Sequence, residues 1–360
     1  MDGRRDVGRY NCCIRSGLRL SCCIRISLLA LIVPAGCAPA PREPQWIFYP
    51  APPAPPRVVH LLTFDSFDEL LPPAPDLFSA AQPTVRAGAP LGVAYHDSCL
   101  YVCDTSAGCV HVWDLQQGQA RALGLGGELS KPVAVAADCA GRICVADAGR
   151  GQVLVFDSSG RRLRSFAPRD RTGWRPAGLA CAGGSVYVAD VAGQVVQAWS
   201  AEDGQLIDSL GAGPEGPLSS PCGLAFDAGG RLLVAEPMAG RVQVLVPSGD
   251  GAQAARSRAP ALEAMARPRA VAVGPDGMVF VADAGLGCIH VFDEEGQPAM
   301  RVGLDGVTPL PNGLCIGRDV PAAIQALVPK DFAPAYYLWV SNTLSTKGLA
   351  LFAVGQPVRR

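Results

Sequence analysis

Lysine is nearly missing from this chain, with three among 360 residues, at positions 131, 330 and 347. Arginine supplies most of the positive charge, and six Arg against two acids lie in residues 1–36, leaving 25 basic and 30 acidic residues beyond them. Because that body has no basic run, it offers no footprint for a phosphate backbone, which excludes nucleic acid as a partner. Only 18% of residues are charged while 49% are hydrophobic, the opposite of a disordered composition. No apolar run approaches the roughly 20 residues that a membrane-spanning helix needs. Histidine is limited to His60, His96, His111 and His290, each in a different segment. Cys-x-x-Cys pairs, haem-attachment motifs, G-x-S-x-G and phosphate-binding Gly loops are all missing, so no redox cofactor, serine nucleophile or nucleotide site is expected.

What is abundant is glycine and proline, 41 and 32 residues, which suits many short strands joined by tight turns better than a helix bundle. At the N-terminus Arg15, Arg19 and Arg25 precede an uncharged run from Ile26 to Ala35, the pattern of an export signal over residues 1–36. The run ends in Ala35-Gly36-Cys37, which resembles the lipobox of bacterial lipoproteins and implies lipidation at Cys37. Residues 37–56 follow as a stalk, since eight of the 20 residues from Ala38 to Arg57 are Pro and favour a semi-rigid polyproline II spacer. Trp46, Phe48 and Tyr49 are expected to pack on the domain or on a partner.

From residue 57 onward the chain repeats. Pro90-Leu91-Gly92-Val93-Ala94, then Leu100-Tyr101-Val102-Cys103-Asp104, then Val110-His111-Val112-Trp113-Asp114 form the first copy. The leading prolines of the six copies, at 90, 132, 176, 221, 268 and 311, stand 42, 44, 45, 47 and 43 residues apart. A period near 44 with three clear strands and a weaker fourth is one propeller blade per repeat. The fold expected over 57–360 is therefore all-β, a six-bladed β-propeller. The sixth copy has no room for a fourth strand, whereas 57–64 is an unassigned strand ahead of the first. That N-terminal strand is expected to close the ring, leaving no open edge.

These copies resemble the NHL-repeat family, whose repeat reads roughly P-x-G-[IV]-A, then [IL]-Y-V-A-D, then [RH]-[IV]-x-V-[FW]. With the Pro-rich stalk, the chain is similar to bacterial six-bladed NHL lipoproteins. The resemblance implies an outer-membrane location and an envelope partner, with a cytochrome or an outer-membrane protein as the suggested classes. Enzymatic six-bladed propellers supply the alternative, an amidating lyase or a gluconolactonase-like hydrolase. Those enzymes place Glu, Asn and Asp, or several His around zinc, at the axis. Here the residues opening the inner strands are Leu91, Val133, Ala177, Cys222, Arg269 and Asn312, so no catalytic residue, cofactor or metal is assigned.

The acid closing the second strand recurs as Asp104, Asp147, Asp190, Glu236 and Asp283, with Asn342 in the sixth copy. Such a residue suits a turn cap, because a carboxylate accepts backbone N–H groups of the next turn. His111 and His290 share a repeat position, each two residues after a Cys, and are expected to pack on strand faces. Nine Cys lie beyond the stalk, and burial as small hydrophobes is expected for most, Cys144 and Cys315 among them. Candidate binding residues are Lys131, Arg175, Arg267, Arg269 and Asn312, a mixed rim suited to an acidic peptide or protein patch. The competing surface is the insertion 317–336 in the sixth copy, where a short helix is expected within 321–329 with Ala323, Ile324 and Leu327 on one side, or a plug at the channel mouth.

Overall fold

The strand Ile143–Asp147 shows why the repeat builds blades. Successive side chains of a strand point to opposite faces. Cys144 and Ala146 pack with Leu179 and Val188 of the next repeat, while Ile143 and Val145 pack with Tyr101 and Val112 of the preceding one. Both faces are covered, so every position before the acid is apolar.

A computed structural model describes residues 46–71, 85–170, 173–211, 216–247, 262, 265–303, 306–345 and 347–358. The export segment 1–36, Cys37 and the stalk up to residue 45 lie outside the described residues. Six antiparallel sheets succeed one another, each running from an inner strand outward. The first three blades are Pro90–His96 to Gln119–Leu123, Pro132–Ala137 to Arg162–Phe166, and Pro176–Ala182 to Leu206–Leu210, with four strands each. Blade four has three strands among the described residues, Leu224–Phe226, Leu232–Glu236 and Arg241–Leu245, with Leu262 bridged to Val242 outside them. Blade five again has four, from Pro268–Val273 to Pro298–Val302. Six apolar clusters fill the gaps between neighbouring blades, one per gap. The core is thus a ring of interfaces.

Blade six closes the ring as the repeat count requires. Its strands Pro311–Gly317, Phe332–Asn342 and Leu349–Pro357 are joined by Val58–Phe64, which pairs antiparallel with the last of them from Val58↔Val354 to Phe64↔Leu349. Val58, Val59 and Phe64 are fully buried. Phe64 sits 6.1 Å from Trp113 of blade one and 6.3 Å from Trp339 of blade six, so the closing strand also fills the joint between them. The stalk boundary at residue 57 needs correction: Ile47–Tyr49 pairs with Val58–His60 as a fifth, outermost strand. Aromatic burial explains it, since Tyr49 is buried against Phe352 and Phe48 packs on the joint with blade one.

Candidate interaction face

The repeated acids organise the face on which the inner strands open. Asp147 accepts hydrogen bonds from the backbone N–H groups of Ser130 (2.9 Å) and Lys131 (2.8 Å), just ahead of its inner strand, and of Gly149 (3.0 Å) and Arg150 (3.3 Å) in its own turn. Asp283 does the same for Ala266, Arg267, Gly285 and Leu286, and Asp104 for Gly88, Ala89, Ser106 and Ala107. In blades three and four, Asp190 accepts from Arg175 and Ala192, and Glu236 from Ser219. Asp104, Asp147, Asp190 and Asp283 are therefore latches that fasten the loop entering a blade to the turn after its second strand, and Glu236 ties its loop to Arg241 of the third strand instead. Both segments must lie on one face.

That shared face carries the basic residues. Lys131, Arg175 and Arg267 occupy the position before the proline in blades two, three and five; their N–H groups are held by the latches while their side chains are exposed. Arg269 and Asn312 come together at the axial channel, which they line with Gly92, Val133, Ala177 and Leu314. The Arg269 Nε is buried without a hydrogen-bond partner, and Asn312 donates to the Leu310 carbonyl (2.9 Å) and to Thr343 Oγ1. None of these four cations forms an ion pair with a described residue, whereas Arg241 is tied to Glu236 at 2.6 Å.

The channel itself is tight, about 70 Å³. Inner strands approach so closely that a Cβ on Gly178 would stand 1.7 Å from the Cys222 carbonyl oxygen, and one on Gly92 2.6 Å from the Ala134 Cα. Glycine at those repeat positions is a packing requirement. On the rim, three turn tips carry exposed apolar side chains that the sequence reading did not select: Met238, Leu286 and Leu344 are 78%, 46% and 74% exposed. They follow Glu236, Asp283 and Asn342, the residues that close the second strands of blades four, five and six.

Residues 129–156, the lead-in and first three strands of blade two, match the NHL repeat. The chain is a six-bladed propeller that carries an NHL repeat. No curated protein matches this NHL propeller by sequence. Among solved structures, a gluconolactonase from Xanthomonas campestris is similar at 17% identity, covering 82% of this chain and 89% of that one with a TM-score of 0.56. A virginiamycin B lyase from Staphylococcus aureus is similar at 12% identity, covering 75% and 96% with a TM-score of 0.52. A chain of a nidogen/laminin complex is similar at 18% identity, covering 64% and 86% with a TM-score of 0.52. At these identities the likeness is one of fold.

His111 and His290 do more than pack. Each Nε2 meets its blade's latch, Asp104 Oδ2 at 3.2 Å and Asp283 Oδ2 at 3.1 Å. Burial alone would lower the His111 pKa, but the hydrogen bond to Asp104 and the neighbouring Cys109 outweigh it and push it up to about 9. Asp104 and Asp283 are held well below the usual carboxylate range; burial opposes this, but the histidines and backbone N–H groups prevail. The common spacing, Asp104 to His111 and Asp283 to His290, was the overlooked sequence signal. Among the described residues no three His, Cys, Asp or Glu side chains form a metal-ligand group. Burial raises the thiols of Cys222, to about 11, and of Cys315.

The insertion differs from expectation in its helix, which spans only Ala322–Gln325. Ile324 is fully buried, Leu327 is partly buried, and Ala323 is exposed. Ile324 and Leu327 pack on the joint between blades six and one, and the channel lining includes none of 317–336. The insertion clamps a blade joint and does not plug the axis.

Proposed function

We propose that this propeller is a non-catalytic binding or scaffold protein that docks an acidic patch of another envelope protein on the face where its inner strands open. The observation that carries the reading is the coincidence, on that face, of four cations without an ion-pair partner among the described residues and the exposed Met238, Leu286 and Leu344. Protein interfaces concentrate their binding energy in such arrangements, with Arg among the side chains most enriched at hot spots. Guanidinium groups bind carboxylates through paired hydrogen bonds, and the latches fix the backbone that presents Arg175 and Arg267. Lipidation at Cys37, with the Pro-rich stalk, would hold the ring beside an outer-membrane partner or a cytochrome.

The test is co-purification of the full chain from membranes. Arg175→Glu with Arg269→Glu should weaken capture of a stoichiometric partner at least tenfold, and Cys37→Ala should release the protein from the membrane fraction. Retained capture in the charge-reversed variant, or lactonase or lyase turnover by the purified chain, would overturn the reading.

A further inference from the structure

Two cysteines meet inside the joint between blades two and three. Leu179 and Cys181 of the inner strand Pro176–Ala182 face blade two, while Ala180 between them packs toward blade four. From the other wall, Cys144 and Ala146 of Ile143–Asp147 face blade three. Alternation along the two strands therefore aims both thiols into one apolar layer. Their levels match, because Cys144↔Ala136 and Cys181↔Val186 are each the last pair but one of their hairpin, at the end away from the latch.

The repeat shows that these two positions face each other. Cys144 stands three residues ahead of the residue closing the second strand, as Tyr187, Phe280 and Trp339 do in blades three, five and six. Cys181 stands five residues beyond the leading proline, as Tyr95, Phe226 and Ile316 do in blades one, four and six. Across the joint between blades three and four, Tyr187 meets Phe226 edge to face at 4.9 Å, and across that between six and one, Trp339 stacks on Tyr95 at 5.8 Å. Phe280 and Ile316 share the joint between five and six. Where those joints carry large side chains in contact, the joint between two and three carries two small thiols.

The thiols also touch. Cys181 and Cys144 share a hydrogen bond between their side chains. Both are free thiols in the structure; Cys144 is fully buried and Cys181 is partly exposed. The sulfurs have only to close from hydrogen-bond contact to the ~2.05 Å of a disulfide. Cys103 and Cys109 lie on neighbouring strands as well, but on opposite faces: Cys103 packs in the joint with blade two, whereas Cys109 Sγ meets His111 Nε2 at 4.0 Å.

We propose that Cys144 and Cys181 form a covalent modification site, joined by exchange with a small-molecule or protein disulfide into a cross-link that staples blade two to blade three. The partly exposed Cys181 thiolate attacks the oxidant's disulfide, giving a mixed disulfide and one released thiol. The Cys144 thiolate then attacks Cys181 Sγ and expels the second thiol. The two protein thiols lose two protons and two electrons, and the oxidant takes up both as its own two thiols. Contact with Cys144, and then burial, hold the Cys181 thiol well above its usual pKa. A thiol of high pKa is a poor leaving group, so the bond resists reduction once made. The site is independent of the docking face proposed above.

The experiment equilibrates the full chain with oxidised glutathione in excess, blocks the remaining thiols with N-ethylmaleimide and maps the tryptic peptides by mass spectrometry without reduction. Trypsin cuts after Arg142, which parts Cys144 from the exposed Cys139, the competing thiol on the nearby turn. The expected product joins the Cys144 and Cys181 peptides, two hydrogens lighter than their sum, and separates with dithiothreitol. The oxidised chain should melt about 5 °C or more above the reduced one, because closing the loop 144–181 removes chain entropy from the unfolded state. Cys181→Ala should melt alike in both buffers; comparing the two states of the unaltered chain does not depend on that variant folding. N-ethylmaleimide on both Cys144 and Cys181, Cys181 bonded to Cys139 or left bonded to glutathione, or equal melting of the oxidised and reduced unaltered chain would overturn the proposal.

Discussion

Asp147→Asn tests whether the repeated acids are latches. The carboxylate is fully buried, with Oδ2 accepting from Ser130 and Oδ1 from Lys131, Gly149 and Arg150. An amide can turn its oxygen toward the three donors on the Oδ1 side, but its NH₂ then faces the Ser130 N–H. One charge-assisted hydrogen bond is lost and two buried donors are left opposed, which together cost about 3 kcal/mol. Asn342 in blade six offers the reverse exchange. The position matching Ser130 is Pro309, which has no N–H, and both polar atoms of the Asn342 side chain are buried without partners. Asn342→Asp would bury a carboxylate with no donor, again costing roughly 3 kcal/mol at pH 7. Its folded pKa would lie above the unfolded value, so the loss should shrink as pH falls toward about 4. Urea unfolding at pH 7 and pH 5 reads both variants. If Asp147→Asn lies within about 0.5 kcal/mol of the unaltered chain, or if Asn342→Asp stabilises it, the latch account fails.

Two further outcomes follow from the geometry. The His111 pKa, near 9 in the fold against 6.5 unfolded, is raised, so its stabilisation is complete below pH 6.5 and is lost as pH climbs through 9; relative to His111→Gln, the unaltered chain should lose about 3 kcal/mol between pH 6 and pH 10, and parallel curves would refute this. Phe64→Ala, emptying a fully buried site between Trp113 and Trp339, should destabilise by about 4 kcal/mol in denaturant unfolding, and a loss under about 1 kcal/mol would mean that the ring closes without that strand.

Much of the fold was legible because the repeat states its solution six times. Pro132-Val133-Ala134-Val135 and Ile143-Cys144-Val145-Ala146-Asp147 read as paired strands with both faces covered, and blade closure followed from counting strands. Single-copy features were harder. Ile47–Tyr49 sits in a proline-rich segment whose composition masks a three-residue strand, and only the burial of Tyr49 and Phe48 on the last blade reveals it. The exposed tips Met238, Leu286 and Leu344 fall at slightly different offsets from their latches, so no shared motif marks them.

Symmetry explains why the departures from the repeat gather in blades five and six. A residue that serves a turn or an interface is needed in every blade, and Asp104, Asp147, Asp190, Glu236 and Asp283 recur accordingly. A ligand site needs particular polar groups that converge, and the residue after the leading proline, which lines the channel as Val133 and Ala177 in blades two and three, becomes cationic or amide only as Arg269 and Asn312. Such a site must be built from departures. Arg269 replaces an apolar residue at the start of an inner strand, Asn312 follows in the next blade, and both line the channel. Pro309 removes the donor that a latch would bind, and Asn342 replaces the acid there. Blade six also draws strands from both ends of the propeller sequence. The residues that break the repeat are therefore the ones to alter first when searching for function, and those that keep it should register in stability.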